Sequence, residues 1–406
     1  MQEKRGMLKM WNMWLIFTTF LLAIFGTFLT RSGVVSSVHA FAQSSIGNWF
    51  VGFMVLVLAV CLLYFIKNRG HLRSEHKLES LVSRESSFLF NNVLLLASCF
   101  AVLWGTLFPV LSEAVQGTKI TVGAPFFNKV NIPIAMLLLF LTAVGPLLAW
   151  RKTSVESLKR NFRTATIITV ALIAVLSVFL KPWTDVANFY AVIALALAGM
   201  VAIITVQEFW RGGRVMAAQR HVNIVEGMVQ LARRNTRRYG GYLVHFGVAV
   251  IIVGFAGSAF NQDKEQELAN GQSMQIGAYT LTCRSYTQDD NPNYSSESAI
   301  IDVTRNGKPV TTMFPEQRFY KASQTPQHMV ANHSTPREDL YLIFAGLNPD
   351  TNQPIIKARI NPLVMWIWIG VWIVVLGTAF ALFPDLSTAR QPLPARSRVA
   401  VGVEAD

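Results

Sequence analysis

The sequence predicts an all-α polytopic membrane protein of about eight transmembrane helices, with a small β-rich domain between the last two. Three observations lead there. Only 15% of the residues are charged and 52% are hydrophobic, whereas a soluble domain carries roughly 25% charged residues. Apolar runs near 10–30, 47–66, 87–111, 131–150, 164–180, 187–207, 241–260 and 362–383 have the length of membrane spans. The segment 261–360, between the last two runs, is polar and carries strand-like alternation.

Each run is bounded by charge or by turn residues. Several contain Gly or Pro, as at Gly145-Pro146, which membrane helices tolerate better than soluble ones. Alternate loops are basic: Lys4, Arg5 and Lys9; Lys67 to Arg84; Arg151 to Arg163; Arg211 to Arg238; and Arg390, Arg396 and Arg398 in the tail. Lys and Arg mark the cytoplasmic side, so both termini are expected there. The loops around 31–46, 112–130 and 181–186 and the segment 261–360 then face the periplasm. Tyr279 to Cys283 and Ser298 to Val303 read as strands, and Asn306-Gly307 as a hairpin turn. The expected organisation is a membrane bundle over 1–260, a periplasmic β-rich domain over 261–360, and a last helix with tail over 361–406. A short amphipathic helix is expected around Val222 to Arg233.

The net charge of +13 would suggest nucleic acid in a soluble protein. Here the cations sit in short loops between spans, so they read as topology and as contacts to anionic membrane lipid, with no nucleic-acid partner. Of the three cysteines, Cys61 and Cys99 lie in apolar runs and Cys283 stands alone. No CxxC occurs, which excludes a dithiol redox motif and a paired-thiol zinc site. No cleavable signal peptide is expected, and the opening MQEKRGMLKMW reads as a loop from the middle of something longer.

Asp, Lys and Arg are absent from the middle of the spans, which weakens a transporter reading, because intramembrane charge is costly and retained for function. The ionisable group that does occur there is His245, between Gly241 and Gly247. A neutral imidazole is cheap to bury and is the commonest metal ligand. It serves equally as a hydrogen bond to a neighbouring helix. His39 follows the first span and is preceded by Arg31. Either His39 ligates a metal while Arg31 pairs with a carboxylate, or it is a turn residue and Arg31 snorkels to the headgroups. His71, His76 and His221 read as solvated. His328 and His333 are a weaker metal pair, and Trp366, Trp368 and Trp372 an interfacial belt.

Ordered motifs along the chain then resemble a known family. They are Gln2 to Lys9; Phe28-Leu29-Thr30-Arg31-Ser32-Gly33 with Ser37-Val38-His39-Ala40-Phe41; Arg237-Arg238-Tyr239-Gly240-Gly241-Tyr242-Leu243-Val244-His245; Phe314-Pro315-Glu316-Gln317-Arg318-Phe319-Tyr320; and Asn361-Pro362 through Trp366-Ile367-Trp368-Ile369-Gly370. The chain resembles the C-terminal portion of the CcmF family, the system I cytochrome c haem lyases, without the tryptophan-rich segment. The resemblance implies a bacterial inner-membrane protein that attaches haem to the CxxCH thiols of apocytochrome c. It implies a haem b held through His245, and substrate haem at the periplasmic face ligated by His39, with Arg31 as a propionate contact. Implied partners are the missing N-terminal portion of the same protein, the haem chaperone CcmE, a CcmH-type thiol-handling protein and apocytochrome c. On this reading the isolated chain is incomplete as an enzyme. A small-molecule permease and a non-catalytic membrane scaffold are the competing functions, and bound haem would separate them from the first.

Overall fold

The structure, a computed structural model, describes residues 6–32, 46–73 and 78–384. Among these residues are nine α-helices and ten strands. The chain divides into two compact units, Met1–Arg160 and Asn161–Asp406. Eight helices are long and apolar enough to cross a membrane.

In the first unit, α1 (Lys9–Arg31) packs on α2 (Ile46–Lys67), with the Trp14 and Phe65 rings 5.0 Å apart. The next pair is α3 (Arg84–Gln116) and α4 (Ala124–Val144). Ser83 caps α3 by accepting from the Ser86 amide, and Gly117 ends it at φ 68°, a left-handed position natural to glycine. Gly105 of α3 lies where a Cβ would meet the Phe127 ring at 2.7 Å, and Ser98 donates to Asn131 at 2.7 Å. Gly145-Pro146 ends α4 in a 3-10 turn, and the freed Pro146 carbonyl accepts from the Arg84 guanidinium.

The second unit begins within α5 (Val155–Leu180) and continues through α6 (Val186–Arg220), α7 (Ile224–Arg234), α8 (Thr236–Ala256) and, after the sandwich, α9 (Val364–Leu382). At 35 residues, α6 is roughly 50 Å long, well over the ~30 Å hydrocarbon thickness. Its distal turns hold the short amphipathic α7, whose Gly227 sits 2.6 Å, by its would-be Cβ, from the Gly213 carbonyl. Helices α8 and α9 meet along glycines seven residues apart. Gly240, Gly247 and Gly254 of α8 face Gly370, Gly377 and neighbouring α9 backbone, and most of these would-be Cβ atoms come within 3 Å of the partner helix. Small residues allow such approach where apolar lipid supplies no hydrophobic drive.

Strands β1 (Gln262–Glu267) to β10 (Pro354–Pro362) form two antiparallel sheets between the last two spans. One runs β1-β10-β9-β8. The other runs β2-β3-β4-β6-β7, with β5 also on β4. Alternating inward residues make the core: Tyr279, Leu281, Ile301 and Val303 from one sheet, and Leu340, Leu342, Phe344, Ile356, Ala358 and Ile360 from the other. The predicted strands fall within β3 (Tyr279–Asp290) and β4 (Tyr294–Arg305). Asn306 and Gly307 join β4 to β5 (Lys308–Met313) with φ 50° and 78°. That is the doubly left-handed turn which matches strand twist.

The sandwich is mounted without slack. A 3-10 turn, Gly257–Phe260, links α8 to β1, and a Cβ on Gly257 would stand 2.2 Å from the Pro362 carbonyl at the other exit. The Leu363 amide donates to the Arg337 carbonyl at 3.0 Å, and the Trp366 indole to that of Pro336 at 2.9 Å. The turn between β8 (Ala331–Ser334) and β9 (Glu338–Leu347) therefore grips the first turn of α9.

Candidate functional site

Helix α8 carries three stripes, because residues seven apart fall nearly in line on an α-helix. The glycine stripe is taken by α9. Tyr239 and Tyr242 are buried toward α6, with Tyr239 4.8 Å from the Phe209 ring. The remaining side carries Arg238, His245 and Ile252 in one line, and Arg237, Gly241, Val248 and Phe255 beside it. This side is open. Val248 and Phe255 are exposed, and a Cβ on Gly241 would meet nothing within 4 Å.

His245 stands on that side, partly covered, with its Nδ1 buried and lacking a hydrogen-bond partner. The imidazole is thus not committed to a structural hydrogen bond through Nδ1, and one turn before it a Cβ on Gly241 would stand in open space. Two turns before it, Arg238 Nη2 donates to Glu208 Oε2 at 2.8 Å and to the Tyr242 hydroxyl at 3.3 Å. That hydroxyl donates to the same Glu208 oxygen at 3.0 Å. The Glu208 side chain is largely covered, whereas more than half of the Arg238 side chain is exposed. In the sequence Glu208 is simply an acid at a helix end, and Arg238 a basic loop residue that also lies in the motif ending at His245. The signal that joins them to His245 was the seven-residue spacing of Arg238 and His245.

The other candidates separate. Arg31 is the exposed last residue of α1. His39 and His76 lie outside the described residues. His71 sits in an exposed turn after α2, and His221 ends α6 at φ 55°. His328 and His333 fall in different sheets, and His328 Nδ1 lies 2.8 Å from the Phe344 carbonyl oxygen. Among the described residues, His, Cys, Asp and Glu form no group of three fit for a metal. Trp368 and Trp372 are exposed on α9, and Trp366 joins the sandwich through its indole hydrogen bond.

On the sandwich, the Phe314 to Tyr320 motif builds an ion-pair fork. Arg318 donates to both Glu316 oxygens at 2.8 and 2.9 Å and lies 4.6 Å over the Tyr294 ring. That fork holds Glu316 below the usual carboxylate range. Asp302 is also held low, by the Thr312 hydroxyl and then by Arg284. Burial pushes the Cys283 thiol up, away from the reactive thiolate.

Residues 259–362 match the family profile described as the CcmF C-terminal β-sandwich. The chain is 34% identical over 390 residues to the cytochrome c-type biogenesis protein CcmF of Escherichia coli (strain K12), covering 94% of this chain and 56% of that protein. It is 30% identical over 385 residues to CcmF of Haemophilus influenzae, covering 94% and 57%. A solved structure titled cytochrome c haem lyase CcmF superposes with a TM-score of 0.69 at 24% identity, over 94% of this chain and 56% of that one. The chain thus spans a little over half the length of the relatives it matches. The fold defines a multi-pass membrane protein with a β-sandwich set between its last two spanning helices. The chain is a relative of the CcmF-type cytochrome c biogenesis proteins.

Proposed function

We propose that this chain supplies the C-terminal portion of a cytochrome c haem lyase, working with the further length that its relatives carry. The observation that carries this reading is His245, an imidazole in a spanning helix whose buried Nδ1 lacks a hydrogen-bond partner, one turn from the open Gly241 position, within a chain similar to CcmF along 94% of its length. Haem b fits the residues present: an imidazole can ligate iron, and the glycine beside it leaves room for a flat ring. His245 would hold the iron through its imidazole. When bound, such a haem supplies one-electron redox chemistry. His245 would fix where the iron sits, and the apolar side chains of Val248 and Phe255 on the same side of α8 would face the ring.

The substrate haem is a separate group. On this reading it is delivered by the chaperone CcmE and held at the periplasmic face with His39 as ligand and Arg31 near a propionate. Each apocytochrome thiol then adds across one vinyl double bond, the sulfur to one carbon and the proton to the other, so atoms balance with no leaving group. A CcmH-type protein would present the reduced thiols. Both chain termini are cytoplasmic in this arrangement, a reading the basic alternate loops support.

The test is covalent haem on a reporter cytochrome in cells that carry the whole maturation system, with this chain in place of the resident equivalent. His39→Ala and His245→Ala should each abolish maturation, and His245→Ala alone should remove the resident haem spectrum. Full maturation by both variants would reject the reading.

A further inference from the structure

Arg237 and Arg238 stand on the same side of α8 as His245, at the helix end before it, with Gly241 open on the Arg237 stripe. Seven residues separate Arg238 from His245, about 10 Å along the helix, the scale of half a porphyrin plus an arginine side chain. Arg238 is not loose. Glu208 and Tyr242 take its Nη2, which fixes the guanidinium and leaves Nη1 and Nε for another acceptor. Arg237 is exposed on the adjacent stripe. Two arginines therefore share the face of α8 that carries His245 and the open Gly241 position, and Glu208 offsets one of the two charges.

We propose that Arg237 and Arg238 receive the two carboxylates of a tetrapyrrole whose iron is bound by His245, so that the α8 end selects the propionate-bearing edge and sets the ring's rotation in the membrane. This rests on the reading of His245 as a haem ligand. Glu208 and Tyr242 are positioning residues in this scheme, acting through Arg238. Charge-assisted bonds to carboxylate are the strong class of hydrogen bond, and Arg presents them in a planar fork.

The experiment titrates the purified full chain in detergent with iron protoporphyrin IX and with its dimethyl ester, which keeps the ring and iron but carries no carboxylate. The ratio of the two affinities is compared between variants, so that partition into micelles cancels. The ratio favouring the free acid should fall on the order of tenfold in Arg238→Gln and in Arg237→Gln, and further in the double variant. Ester affinity should hold, and Arg238→Lys should keep most of the preference. Arg237 is exposed, so its variant reads the proposal without a packing defect. An unchanged ratio in the double variant, with binding still lost in His245→Ala, overturns this inference and leaves the haem reading standing. Equal binding by His245→Ala and the unsubstituted chain removes the haem reading, and the inference falls with it.

Discussion

Gly247 and Gly370 lie against one another's backbone: a Cβ on Gly247 would come 2.9 Å from the Gly370 carbonyl oxygen, and a Cβ on Gly370 would come 2.7 Å from that of Gly247. The contact is carbonyl to α-carbon, and no side chain can yield to relieve it. Gly247→Leu or Gly370→Leu should therefore separate α8 from α9 and cost at least the ~1–3 kcal/mol typical of overpacking. Gly241→Ala, into open space, should be neutral or stabilising by up to ~1 kcal/mol. Thermal unfolding of the detergent-solubilised chain, followed by tryptophan fluorescence, checks both. A Leu variant that melts with the unsubstituted chain would show that the helices do not meet there.

Asp302 and Glu316 predict how the sandwich responds to acid. Both carboxyls are held below their ordinary values, the first by Thr312 and Arg284, the second by Arg318. A group whose folded pKa is depressed contributes stability above its unfolded value, near pH 4, and loses it as pH falls through the folded value. The sandwich should thus be insensitive to pH between 6 and 8 and loosen below about pH 4. Amide exchange in β4 and β6 (Glu316–Tyr320), corrected for intrinsic rates, measures it. Asp302→Asn should flatten part of the acid dependence.

Cys283 is buried and its thiol pushed up by that burial. It should resist maleimide in the folded chain and react on unfolding in denaturant. Rapid labelling of the native protein at this position would contradict the buried core it shares with Leu281 and Ile301.

That silence makes a topology test practical. With Cys61 and Cys99 changed to Ser, a cysteine placed at Asn293 should react with an impermeant maleimide in intact cells. One placed at His71 should react only after permeabilisation. The reverse pattern would invert the proposed orientation.

Much of this was written in the chain. Apolar length located the spans, and Asn306-Gly307 announced a hairpin because only a left-handed pair of residues turns strands so tightly. The alternation at Tyr279 to Cys283 gave a strand but not its full extent. β3 runs on to Asp290 after a bulge near Cys283, where local alternation fails. His245 stood out because ionisable groups are scarce in spans. The Glu208–Arg238–Tyr242 link did not, since it joins Glu208 to residues 30 and 34 positions later and each alone looks like an ordinary helix-end group. The glycines at 240, 247 and 254 are regular in sequence, but their partners at 370 and 377 lie beyond the whole sandwich.

The absence of slack where the sandwich joins the membrane has a mechanical consequence. From Tyr279, whose hydroxyl donates to Glu338 at 3.2 Å beside the grip on α9, β3 carries the chain eleven residues outward, roughly 35 Å. A load applied at the tip near Asn293 meets no hinge on its way back, because Gly257 is pressed on Pro362 and Leu363 is tied to Arg337. The sandwich is a lever arm keyed to a fused pair of helices. The position of that outer end is thereby tied to α8 and α9 through the same contacts at Gly257 and Leu363.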